Sequence, residues 1–145
     1  VATGSAGARG GIQTAYVITS DGILRTLGVH EGKETKKPLR FLGANADVSD
    51  VLAIDDVVYA STTNNCGGVA NGLWSIDPES KSPSVRQWKA GSSPVAGFAI
   101  SRSGTLYVTS GDRMAALDSK SLEEKNSYSS GGAAFATGPS IFSYQ

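Results

Sequence analysis

The chain has 145 residues, a length suited to one domain, and its thirteen basic and thirteen acidic residues cancel. Neither sign gathers into a long block, which excludes the electrostatic footprint of a nucleic-acid or anionic-membrane binder. No apolar run reaches the roughly 18 residues of a membrane helix, no signal-peptide pattern is present, and the single cysteine, Cys66, excludes an internal disulfide.

Eighteen glycines, many in Asp-Gly, Ser-Gly or Gly-Asp pairs between short β-branched runs, point to many strands joined by tight turns. Residues 1–11 form a Gly/Ala/Ser-rich lead without large apolar alternation and read as a flexible arm. The first strand is expected at about 15–20, followed by a turn at Asp21-Gly22, a strand near 23–29 and an outer strand near 38–42. The next set is Val51–Ile54, Val57–Thr62, Leu73–Asp77 and Val85–Lys89. A third follows at Val95–Ile100, Thr105–Ser110, Met114–Asp118 and about Glu124–Tyr128. Finally, Gly138-Pro139-Ser140-Ile141-Phe142-Ser143-Tyr144 repeats the pattern of Ser93-Pro94-Val95-Ala96-Gly97-Phe98-Ala99 and predicts one more innermost strand. The densest basic run, Lys33-Glu34-Thr35-Lys36-Lys37, reads as a solvated hairpin tip.

These sets are copies of one unit. The strands around Tyr16, Tyr59 and Tyr107 superpose, each is followed by an apolar pair (Leu24/Leu27, Leu73/Ile76, Met114/Leu117), and each ends on one aromatic, Phe41, Trp88 or Tyr128. A repeat of about 40–50 residues belongs to propeller blades. The fold expected is therefore an all-β β-propeller of four-stranded antiparallel blades, with three blades' worth of sheet in the chain. Its organisation would be a lead at 1–11, blade one at 12–49 with three strands, blade two at 50–92, blade three at 93–130, and an innermost strand of a further blade in 131–145. Because propellers typically use four to eight blades, the ring would be completed by another copy or by another chain segment. The terminal strand would be lent to the incomplete first blade.

Val57-Val58-Tyr59-Ala60 with Gly72-Leu73-Trp74-Ser75-Ile76-Asp77, and Gly104-Thr105-Leu106-Tyr107-Val108 with Met114-Ala115-Ala116-Leu117-Asp118, resemble the repeat of the pyrroloquinoline-quinone-like (quinoprotein alcohol dehydrogenase-like) β-propellers. The resemblance covers most of residues 15–145 and carries a fold more than an activity, because the matching positions are structural. Gly28 replaces the repeat aspartate in the first copy, and the Gly-His and Trp-Asp signatures of WD repeats are absent. The superfamily contains quinone- and calcium-dependent dehydrogenases and many non-catalytic relatives, including outer-membrane lipoprotein assembly factors. It implies a periplasmic or extracellular location. The adjacent-cysteine pair of the dehydrogenases is impossible with Cys66 alone.

The longest interruption of the repeat, Thr63 to Asn71, marks the candidate binding face. Asn64, Asn65, Cys66 and Asn71, with Asp47 on a neighbouring connection, are polar groups suited to directed hydrogen bonding on a long loop. Asp55-Asp56 reads as a hairpin turn rather than a calcium site. Cys66 has only His30 as a possible base, and His30 is expected on the opposite face, so neither a nucleophile nor a zinc site is expected. Phe41, Trp88 and Tyr128, with Tyr16, Tyr59 and Tyr107, are assigned to packing between blades.

The expectation is a non-enzymatic scaffold that binds protein or a small ligand on its loop face, without cofactor. Two alternatives stand beside it: a fragment of a pyrroloquinoline-quinone-dependent dehydrogenase, with quinone and calcium held elsewhere, or a structural subunit assembling by strand exchange into a ring or filament. A homo-oligomer or a completing propeller segment is the expected partner. Neither nucleic acid nor a membrane span is expected.

Overall fold

The computed structural model describes residues 2–4 and 13–142. Among these residues are twelve strands: β1 (Ala2–Gly4), β2 (Thr14–Ile18), β3 (Ile23–Gly28), β4 (Leu39–Arg40), β5 (Asp47–Ile54), β6 (Val57–Thr63), β7 (Gly72–Ile76), β8 (Arg86–Lys89), β9 (Val95–Ile100), β10 (Thr105–Ser110), β11 (Arg113–Asp118) and β12 (Glu124–Ser129). They form three separate four-stranded sheets, each ordered as its strands occur in the chain, with every pairing antiparallel. The protein is thus all-β, as its turn chemistry and short β-branched runs predict.

Tight turns set the registers. Asp55 and Asp56, at φ 47° and 63°, close the β5–β6 hairpin in the left-handed pair that matches strand twist. Gly22 is required for a second reason: at φ 79°, a Cβ there would lie 2.2 Å from the Leu42 carbonyl oxygen. Asp77 and Asp118 end the third strand of their sheets by accepting backbone N–H groups two and three residues ahead, Glu79 and Ser80 at 2.8 and 3.1 Å, Lys120 and Ser121 at 2.9 and 3.0 Å. Gly28 lacks this side chain, and the turn there closes through the Gly32 amide on the Gly28 carbonyl, 2.8 Å.

Alternate residues are buried along β3 and β11, the middle sheet's β6 and β7 are buried on both faces, and the sheets stack through these faces. Tyr16, Leu24, Phe41 and Leu42 of the first sheet pack with Val58, Ala60 and Ile76 of the second. The opposite face of the second sheet, through Tyr59, Leu73 and Trp88, packs on Val95, Phe98, Leu106, Val108, Ala115, Leu117 and Leu122. Burying a Leu, Val or Phe side chain stabilises by about 1.5–3 kcal/mol, so these two seams are the main cohesive force between the sheets. Two hydrogen bonds orient the second seam: Tyr59 Oη donates to the Ser119 carbonyl at 2.9 Å, and Trp88 Nε1 donates to Glu124 Oε2 at 3.1 Å. Tyr59 and Phe98 rings meet at a centroid distance of 6.5 Å, tilted by 55°.

Three expectations change. The first sheet has four strands, because Ala2–Gly4 pairs with Thr14, Ala15 and Tyr16 and so fills the inner position expected to await a terminal strand. An unsatisfied strand edge recruits backbone irrespective of side chains, which is why a Gly/Ala-rich segment serves. In the terminal segment, residues 138–142 carry no strand, and residues 143–145 of the expected strand lie outside the described residues. Tyr128 is not a packing residue here: it is 59% exposed, since β12 is uncovered along its whole length and no described sheet follows the third.

Candidate functional site: the Thr63–Asn71 loop

The loop leaves β6 through Asn64 and Asn65, both left-handed at φ 61° and 48°, a conformation asparagine tolerates better than most side chains. It then makes a 3-10 turn, Cys66–Gly68, closed by the Val69 amide on the Cys66 carbonyl at 3.0 Å. Gly67 has φ 62°, and a Cβ on it would sit 2.0 Å from the Ala44 carbonyl oxygen, so the turn is pressed against the connection between the first and second sheets. Val69 is buried, and the same connection passes so close that a Cβ on Gly43 would lie 2.7 Å from Val69 Cγ2.

Asn65 and Asn71 hold the loop closed reciprocally. The Asn65 amide donates to Asn71 Oδ1 at 2.9 Å, and the Asn71 amide donates to Asn65 Oδ1 at 3.0 Å. Asn71 is 2% exposed, and its Nδ2 reaches the Ser92 and Ser93 carbonyls at 3.3 and 3.2 Å, on the connection into the third sheet. Below it, Thr62 Oγ1 donates to the Ala70 carbonyl at 2.7 Å and accepts Trp74 Nε1 at 2.8 Å. The loop therefore meets both inter-sheet connections, the first by packing of Gly67 and Val69 and the second through the Asn71 amide group.

The remaining expected residues sit outward. Asn64 Nδ2 donates to Asp47 Oδ2 at 2.6 Å, an exposed pair joining the loop to the start of β5. Cys66 is exposed in the 3-10 turn. The structure thus brings Asn64 to Asp47 and Asn65 to Asn71, and leaves Cys66 apart from both pairs. Among the described residues, no group of three or more His, Cys, Asp or Glu side chains could hold a metal ion.

Three features were not anticipated. β5 begins at Asp47 rather than Val51, with a register shift between Val48 and Asp50 that turns Ser49 onto Ser61, Oγ to Oγ 2.8 Å. Beside it, a cleft of about 300 Å³ is lined by Ile18, Val48, Ser49, Asp50 and Val51, next to the Asp47–Asn64 pair. A second cleft, about 360 Å³, lies between the second and third sheets among Ile54, Val57, Tyr59, Ile100, Arg102 and Lys120. The polar run Asp47-Val48-Ser49-Asp50 hides the first cleft from sequence reading because a bulged strand breaks the alternation that marks a strand.

Two tyrosines are electrostatically distinct. Burial raises the Tyr16 pKa, and the Glu79, Asp56 and Asp77 carboxylates add to it. Burial also raises that of Tyr59, opposed by its hydrogen bond to Ser119. Both stay neutral at physiological pH, and Tyr59 uses its hydroxyl to hold the Ser119 carbonyl rather than for acid–base chemistry. No protein-family model matches the chain, and no curated protein matches it.

Proposed function

We propose that the three sheets are blades of a β-propeller of the pyrroloquinoline-quinone-like type and that the chain is a non-enzymatic scaffold, binding a protein segment or small ligand on its loop face. The observation that carries this reading is the closure of the loop by the Asn65–Asn71 pair, with Asn71 bonded to the connection into the third sheet and Gly67 and Val69 packed on the connection into the second. These contacts anchor the loop while Asp47, Ser49, Asp50 and Asn64 line or border an open polar cleft. Preorganised polar groups on a rigid scaffold favour binding because little ordering cost remains. Exposed Asp47 and Asp50 favour a segment rich in hydrogen-bond donors.

The test is selection of peptides from a random library against the chain, followed by affinity measurement on variants. Selected binders should lose affinity with Asp50→Ala or Asn64→Ala and keep it with Arg86→Ala, on the outer strand of the second sheet. Binders indifferent to Asp50 and Asn64 would reject the site. A rise in melting temperature on adding pyrroloquinoline quinone with calcium would instead favour the dehydrogenase reading.

A further inference from the structure

The sheet-on-sheet contact is realised once between the first and second sheets and again between the second and third, using equivalent residues of the repeat. In both, the donor sheet presents the strand tyrosine and an aromatic of its outer edge, all buried: Tyr16 with Phe41, just beyond β4, then Tyr59 with Trp88, in β8. The receiving sheet offers the residue after the third strand's aspartate, Pro78 in the second sheet and Ser119 in the third, both buried. It also offers the outer-strand residue opposite the last apolar residue of the third strand. In the third sheet that residue is Glu124, paired with Leu117, and it accepts the Trp88 indole N–H.

Among the described residues each half of a further such contact is present without a facing sheet, at opposite ends of the stack. The third sheet presents Tyr107, half-buried, and Tyr128, 59% exposed, and neither hydroxyl has a hydrogen-bond partner among the described residues. The first sheet carries the receiving half. Val29, equivalent to Pro78 and Ser119, is 44% exposed, and Glu34 sits opposite Leu27 as Glu124 sits opposite Leu117. The analogy extends to charge, since Glu34 is held by Arg25 and Glu124 by Arg113. Trp88, opposite Leu73, carries a donor and meets Glu124, and Tyr128 stands opposite Met114 in the same way. Tyr128 carries a donor, and the remaining acceptor is Glu34.

Resting on the reading of the sheets as equivalent blades, we propose that the outer face of the third sheet docks on the outer face of the first sheet of a second copy of this chain. Tyr107 Oη would donate to the Val29 carbonyl and Tyr128 Oη to the Glu34 carboxylate, as Tyr59 and Trp88 do within the chain. Because the two halves lie on different faces, the contact is heterologous and either closes into a ring or extends head to tail. It joins faces through side chains and does not require exchange of a terminal strand.

Sedimentation of the 145-residue chain over a concentration series tests this. Expected is reversible association, weakened about three- to tenfold by Tyr107→Phe or Tyr128→Phe, the loss of one interfacial hydrogen bond each. Glu34→Gln combined with Tyr128→Phe should cost less than the two single effects together, since the residues are one pair. Tyr128→Asp should leave a monomer with unchanged thermal stability. A chain monomeric at every attainable concentration, or an association indifferent to these substitutions, overturns the proposal. Tyr59→Phe separates the two levels: if it destabilises the monomer while association is absent, the in-chain sheet contact stands and only the docking fails. If it has no effect either, the equivalence of the sheets fails with it.

Discussion

Asn71 shows how much one side chain settles. Buried, it accepts from Asn65 and donates to two carbonyls on a connection more than twenty residues away. Asn71→Ala strands the Asn65 amide and both carbonyls, and should destabilise by about 1–3 kcal/mol in urea denaturation, whereas exposed Asn64→Ala should be near neutral. Asp118 makes a pH prediction. The Lys125 ammonium, followed by the Ser121 and Lys120 amides, holds its carboxyl well below the ordinary 3.8. A depressed folded-state pKa contributes stability that is complete above the unfolded value and is lost as pH falls through the folded one. Thermal melts should therefore show a steeper acid loss below pH 3.8 in the native chain than in Asp118→Asn. Equal slopes would remove Asp118 from the acid transition.

At the scale of elements, the loop and the first strand behave oppositely. The loop is locked by sterics: Gly67→Ala meets both a left-handed φ and the Ala44 carbonyl, and Gly68→Ala meets the φ of 73° alone, with open space around it. Gly67→Ala should cost clearly more than the roughly 1 kcal/mol of a left-handed alanine, and Gly68→Ala about that much, by thermal melts of the two variants. β1 is held by three backbone pairs. Deleting residues 1–11 should speed amide exchange in β2 while leaving the protection of β6 and β10 unchanged. Loss of protection throughout would mean that the first sheet's inner edge supports the whole stack. Sequence reading placed most strands within a few residues because alternation and turn glycines are local signals. It missed β1 and the start of β5, where pairing is carried by backbone alone or by a bulge.

The whole molecule is a stack in which the second sheet contributes to both apolar seams. Leu73, fully buried in the second seam, should cost about 2–5 kcal/mol on Leu73→Ala. Ala133→Ser, exposed in the segment after β12, should cost almost nothing by the same denaturation measurement. The sequence by itself determined the all-β class, the threefold repeat, most turns and most of the aromatics that bury, because each follows from spacing along one strand or hairpin. Only the tertiary structure decided that Asn65 and Asn71 close the loop, that Asn71 ties it to the connection into the third sheet, and that Ala2–Gly4 fills the first sheet's inner edge. It alone separated Tyr128 in solvent from Phe41 and Trp88 in the seams. Those outcomes depend on which sheet lies beside which, and neighbourhood between distant segments is set by packing across the seams rather than by residue order.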